Sequence, residues 1–112
     1  MERAIVVSSA ALMAALLASS QVQAQQMDRP KRGHILAKQV CAQCHAVEER
    51  SVNSPNAAAP RFEDIANTPG MTAMAISAAL HTSHATMPNV MLDSDELNDI
   101  VAYILSLKQA KR

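Results

Sequence analysis

The sequence predicts an all-α domain, and three features support that fold class. The stretch near the C-terminus repeats apolar residues at helical spacing, with acidic residues before it and basic residues after it. From Pro30 onward the other apolar runs also favour short helices, and segments rich in Pro, Asn and Ser separate them. No strand-like run precedes the first cysteine. We therefore expect helices joined by irregular loops.

An export signal is predicted at the N-terminus. A short start that carries Arg3 is followed by an apolar run to Ala18, and small residues precede a cut after Ala24. Because a membrane-spanning helix needs about 20 apolar residues, this run favours a cleaved signal over a membrane anchor. We expect residues 1–24 to be a secretory signal peptide and residues 25–112 to form one domain with no stable membrane insertion.

The charge pattern argues against one class of partner. The sequence has 10 basic and 10 acidic side chains. The basic ones gather at both ends of the mature chain and the acidic ones in its middle. Nucleic-acid binding would call for a clustered basic face, so we expect no nucleic-acid partner.

The stretch Cys41-Ala42-Gln43-Cys44-His45 carries the strongest chemical signal. Two thiols three residues apart lie on one side of a helical turn, and the next residue is rotated by roughly 100°. This spacing suits two thioether bonds at the rim of a haem and an imidazole at its iron. We expect Cys41 and Cys44 to attach one haem c covalently and His45 to be an axial ligand.

Three other interpretations of the cysteine pair stay open at this point. A redox dithiol usually follows a strand in a βαβ pattern, which the sequence does not predict here. A zinc site needs three or four ligands, and the chain has no second cysteine pair. A disulfide in so small a loop would be strained and would contribute little to stability. The haem interpretation is favoured if the chain also supplies a sixth iron ligand.

The polar, aperiodic loop 81–89 holds the candidates for that ligand. Met87 precedes Pro88, which disfavours helical backbone at the residue before it. Met87 should therefore project from an irregular backbone, and we take it as the second axial ligand. A gap-filling role for this methionine stays open. His81 and His84 are rival ligands, although a surface or pocket-rim position suits them better.

The predicted elements follow in chain order. They are a helix over 30–41, a loop over 47–59, a short helical turn over 62–66, a helix over 71–80 and a last helix capped by Asp93 or Ser94. The methionines of the third helix are expected to be packing groups. Gly33 lies inside the first helix, where glycine costs about 1 kcal/mol against alanine. Either another helix approaches closely at Gly33, or the glycine is tolerated near a frayed helix start.

Taken together, the order C-A-Q-C-H, A-P-R-F, T-M-P-N and A-Y-I-L-S-L-K resembles the small bacterial class I cytochromes c over nearly the whole mature chain. That resemblance implies a fold in which the N- and C-terminal helices cross over a covalently bound haem. It places Gly33 at the crossing, with Ile100 and Tyr103 facing it. The family often has an aromatic residue where this sequence has Ala37, so the crossing is expected to pack differently.

The resemblance also implies a partner for the axial histidine and a function. The carbonyl of Pro60 would accept a hydrogen bond from the second ring nitrogen of His45. The chain would be a monomeric periplasmic electron carrier and not an enzyme, with dehydrogenases, a cytochrome complex or an oxidase as redox partners. Two alternatives remain: a haem-based sensor or ligand-binding protein in which Met87 releases the iron, and an electron-transfer subunit of a larger redox enzyme.

Overall fold

The computed structural model describes residues 28–82 and 86–109. These residues form four helices and no strand, so the all-α prediction is confirmed: α1 over 28–40, α2 over Phe62–Asn67, α3 over Ala73–His81 and α4 over Ser94–Ser106. Within these two ranges, no helix is long and apolar enough to cross a membrane. The predicted signal peptide and His84 lie outside the described residues.

Helix α4 begins where the sequence predicts, because Asp93 forms a reciprocal cap. Its carboxylate accepts hydrogen bonds from the backbone N–H groups of Asp95 at 2.8 Å and Glu96 at 2.9 Å. The Glu96 carboxylate accepts one from the Asp93 N–H at 3.0 Å. One face of α4 is buried, and the helix packs against α2 and α3. Helix α4 is therefore central to the fold.

Helix α3 begins two residues later than predicted. Thr72 has extended backbone, and its hydroxyl accepts a hydrogen bond from the Ala75 N–H at 3.2 Å, which makes Thr72 the N-cap. Met71 therefore precedes the helix, and it packs against the core as a partly buried residue. Met74 is 82% exposed. The expectation that the methionines of this segment pack in the core is thus right for Met71 and wrong for Met74.

Helices α1 and α4 approach each other closely at Gly33, which is buried. A Cβ atom at Gly33 would fall on the backbone carbonyl of Asp99 and lie 2.7 Å from the Cβ of Tyr103. Close approach, and not tolerance at a frayed end, therefore explains this glycine. Tyr103 faces Gly33 as expected, and the Asp99 backbone is the nearest group. Ile100 is a core residue with 1% exposure. Ala37, one turn further on, is fully buried.

Asp99 links α4 to α1 through a buried carboxylate. Its side chain accepts hydrogen bonds from Arg32 Nε at 2.7 Å and Arg32 Nη2 at 2.8 Å, and Arg29 Nη1 lies 3.7 Å away. This paired geometry is the strong form of an arginine–carboxylate contact. Asp99 lies one turn before Tyr103 on the buried face of α4, so it needs a partner there.

The side chain of Tyr103 ties α4 to the segment that follows the cysteine motif. Its hydroxyl donates to the carbonyl of Val47 at 2.6 Å, and its ring lies 4.8 Å from the ring of His34. Burial, followed by the negative charges of Glu48 and Glu49, raises the pKa of Tyr103 to about 12. His34 Nε2 lies 2.9 Å from the Glu48 carboxylate. His34 is therefore a half-buried contact residue of α1.

Gly33→Ala should lower the free energy of unfolding by about 1–3 kcal/mol, because the added Cβ forces α1 away from α4. This loss should exceed the gain of up to about 1 kcal/mol that alanine brings to a helix. Denaturant unfolding of the purified protein measures the change. Gln39→Ala, on the exposed side of α1, is the control and should change stability by less than about 0.5 kcal/mol. A more stable Gly33→Ala protein would show that the crossing has room for a side chain.

Tyr103 should make the protein less stable as the pH rises from about 10 to about 12. The hydroxyl ionises near pH 10 in the unfolded chain but only near 12 in the folded protein. In this window the folded state binds more protons, so the free energy of unfolding falls with rising pH. Tyr103 is the only tyrosine in the sequence, so tyrosinate absorbance reports it alone. Tyr103→Phe should lack this pH dependence, and a folded-state midpoint near 10 would contradict the burial argument.

Candidate functional site

The two cysteines lie on a helical turn that continues directly from α1. Cys41 N–H donates to the Ala37 carbonyl at 2.8 Å, which continues the α-helical bonding of α1. The Cys41 carbonyl then accepts from Cys44 N–H at 3.1 Å and from His45 N–H at 2.9 Å. The motif is therefore wound as one further turn, as its spacing predicts. Both cysteines are free and half-buried.

His45 is held through one ring nitrogen. Its Nδ1 lies 2.7 Å from the backbone carbonyl of Pro60. A carbonyl oxygen can only accept a hydrogen bond, so Nδ1 carries the proton. In the neutral imidazole, Nε2 then has a free lone pair. Nε2 is therefore the atom that would bind a metal ion. The ring of Phe62 lies 5.5 Å from the imidazole and packs against it.

An apolar cavity of about 420 Å³ opens beside the cysteine turn. Cys41, Cys44 and His45 line it, together with Met87 and side chains of α2, α3 and α4. Its volume lies within the range of about 300–1,000 Å³ that small-molecule and cofactor sites have. Among the described lining residues there is no Asp, Glu, Lys or Arg. The cavity can therefore take a large, mainly apolar group.

The described part of loop 81–89 contributes one predicted ligand to the cavity. Met87 is half-buried and lines the cavity, as does Pro88. His81 instead ends α3 in an exposed position, and its Nδ1 lies 2.7 Å from the carbonyl of Ser77. The structure therefore brings Met87 to the same cavity as His45 and leaves His81 on the surface of α3.

The cysteine environment does not match the other interpretations of the motif. Burial raises the pKa of the Cys41 thiol, whereas redox-active C-x-x-C pairs have a lowered thiol pKa. No disulfide joins Cys41 and Cys44. Across residues 28–82 and 86–109, no group of three or more His, Cys, Asp or Glu side chains is placed to share a metal ion.

Comparison with known families decides among these possibilities. The model of the family described as cytochrome c matches residues 30–108. The chain belongs to the cytochrome c family. Searches of curated proteins and of solved structures give no significant match. Family membership makes the protein a haem-binding electron-transfer protein, and its fold is the all-α class I cytochrome c fold with α1 and α4 crossing.

The cavity fits the haem c that this family binds through two thioether bonds. Both thiols lie on its wall, the free Nε2 of His45 is available to iron, and the remaining lining is largely apolar. A porphyrin has an apolar face and two carboxylates at one edge. The polar side chains that line the cavity besides His45 are Gln43, Asn56 and Thr86.

One part of the site escaped the sequence analysis, which assigned 47–59 only as a loop. The loop folds back onto the cysteine turn: Asn56 N–H donates to the Cys44 carbonyl at 3.1 Å, and the Ser54 hydroxyl accepts from Ala46 N–H at 3.0 Å. The only available signal was the residue type, since Ser and Asn side chains often bond to backbone groups. That signal does not say which backbone group is bound.

Proposed function

We propose that this protein is a periplasmic electron carrier with one haem c. Cys41 and Cys44 hold the haem, and His45 and Met87 are the axial ligands of its iron. The observation that carries the proposal is the single cavity lined by all four side chains. One C-x-x-C-H motif, with no other cysteine in the sequence, supports one haem.

The contact between Pro60 and His45 supports the first axial ligand. The Pro60 carbonyl keeps the proton on Nδ1, fixes the plane of the ring and makes Nε2 a stronger electron donor. Phe62, packed against the same ring, restricts its movement further. A bound haem supplies one-electron exchange between ferric and ferrous iron. Electron transfer is favoured when the ligand stays in one position in both states, and these two contacts meet that need.

The position of Met87 supports the second axial ligand. Its thioether is a soft ligand, and soft ligands favour the ferrous state. A methionine ligand therefore raises the reduction potential relative to a second histidine. The apolar lining acts in the same direction, because a water-poor environment stabilises the additional positive charge of ferric iron poorly.

A carrier role, and not catalysis, follows from this ligand pair. With both axial positions filled by side chains, a substrate has no open iron site. The protein would then exchange electrons with redox partners through brief, weak contacts, which suit small interfaces. We propose a monomer that serves a dehydrogenase, a cytochrome complex or an oxidase. A sensor would instead need Met87 to leave the iron.

Removal of residues 1–24 tests the location. Haem attachment to the thiols takes place outside the cytoplasm in hosts whose attachment machinery works only there. A chain lacking these residues, with a new initiating Met, should accumulate in such a host without covalent haem, while the full chain should carry it. Haem that survives acid-acetone extraction identifies the covalent form. Equal attachment in both proteins would contradict export through this segment.

Substitution of Met87 tests the ligand pair. A thioether bound to ferric iron gives a weak charge-transfer band at the red end of the visible spectrum, and the ferric protein should have this band. Met87→His should remove the band and lower the reduction potential, because nitrogen favours ferric iron more than sulfur does. Met87→Ala should remove it and let ferrous protein bind carbon monoxide. Absorption spectra and a redox titration measure these changes.

The matched controls are the two methionines that the structure leaves in solvent. Met91 is 92% exposed and Met74 is 82% exposed, so Met91→Leu and Met74→Leu should keep the band and the potential. A band that persists in Met87→Ala, or that disappears in Met91→Leu, would assign the ligand to another residue. Binding of carbon monoxide by the unaltered protein would favour the sensor alternative.

A further inference from the structure

Backbone contacts hold the peptide groups on both sides of His45. On one side, the Cys44 carbonyl accepts from Asn56 N–H at 3.1 Å. After His45, the Ala46 carbonyl, which is one peptide group further along the chain, accepts from Phe62 N–H at 3.0 Å. These bonds come from the loop and helix start that follow the motif. They fix the Cα position from which the imidazole extends.

The Ser54 side chain completes this set of contacts. Its hydroxyl accepts a hydrogen bond from Ala46 N–H at 3.0 Å. Ala46 is only 6% exposed, so water cannot easily replace the serine as acceptor. An unpaired buried N–H is costly, and the Ala46 peptide would shift to find another partner. Ser54 is thus the one member of these contacts whose loss can be produced by a side-chain substitution alone.

A shift of the Ala46 peptide would act directly on the ring of His45. The acceptor of Nδ1–H is the carbonyl of Pro60, which belongs to the same loop as Ser54. The distance between the His45 ring and the Pro60 carbonyl therefore depends on the bond between Ser54 and Ala46. A shorter hydrogen bond from Nδ1–H to the Pro60 carbonyl makes Nε2 a stronger electron donor. A stronger donor to the iron favours the ferric state.

We propose that Ser54 is a positioning residue for the axial histidine: its hydroxyl holds the Ala46 N–H so that His45 Nδ1–H stays bonded to Pro60, which keeps the reduction potential lower than it would otherwise be. The inference rests on the proposed role of His45 as iron ligand. Ser54 itself does not line the cavity. Ser54 acts only through the backbone of Ala46, the residue that follows His45.

The test compares Ser54→Ala with Ser54→Thr in the haem-bearing protein. Ser54→Ala should raise the reduction potential and should speed exchange of the His45 Nδ1 proton about 10-fold, the effect of losing one hydrogen bond of ordinary strength. Ser54→Thr retains the hydroxyl and should restore both values. Asp93→Ala removes a comparable acceptor at the start of α4, away from His45. It should lower stability and leave the potential and the proton exchange unchanged.

If Ser54→Ala folds poorly, Ser54→Val and Ser54→Thr provide the comparison instead. Ser54→Val has the shape of Ser54→Thr without the hydroxyl, so only the acceptor differs between them. In the unaltered protein, native-state exchange should also show Ala46 N–H and His45 Nδ1–H opening together as denaturant is added. Separate opening of these two protons would overturn the proposal.

The outcomes separate the two proposals. Ser54→Ala that loses stability but keeps the potential and the proton exchange of the unaltered protein would make Ser54 purely structural, with the ligand assignment intact. Absence of the sulfur charge-transfer band from the unaltered protein would instead overturn the His/Met assignment. In that case the coupled exchange of Ala46 N–H and His45 Nδ1–H would still report whether Ser54 positions the ring.

Discussion

The close approach of α1 to α4 at Gly33 is the constraint on which the rest of the structure depends. Without a side chain at this position, the Asp99 backbone can lie against α1, and the Arg32 guanidinium then reaches the Asp99 carboxylate. The missing Cβ sets how near the helices come, and the ion pair favours one register between them. Since α4 also packs against α2 and α3, the crossing fixes α1 relative to the whole cavity wall.

This crossing also determines where the cysteine turn lies. Cys41 follows the end of α1 directly, and its N–H continues the helical bonding of that element. One turn beyond Asp99 on α4, Tyr103 bonds the carbonyl of Val47, two residues after His45. Thus α1 directs the turn into the cavity, and α4 holds the chain as it leaves. The segment that carries Ser54 and Pro60 then bonds the Ala46 N–H through Ser54 and the His45 ring through the Pro60 carbonyl.

The sequence predicted the features that depend on local chemistry or fixed spacing. The cysteine turn, the Asp93 cap and the glycine at the crossing are of this kind, since each is required by residues a few positions apart or by the absence of a side chain. The pairing of Asp99 with Arg32 and the contact of Ser54 with Ala46 could not be predicted. The first depends on which distant side chain the fold brings near Asp99, and the second on which backbone N–H the loop brings to Ser54. From sequence alone, a single acidic residue on a helix is equally consistent with a surface charge.

The cavity and the hydrophobic core of this small protein share residues, so cofactor binding and folding are linked. Phe62, Ile76 and Ile104 are buried core residues, and each also lines the cavity. With one Phe, one Tyr and no Trp in the sequence, the protein side chains alone provide little apolar area to bury. A haem in this position would add apolar contacts to the core residues, and these contacts would exist only in the folded state. Its covalent attachment keeps that contribution in place while the iron changes charge. The apolar contacts that we propose to raise the reduction potential would therefore also hold the four helices together.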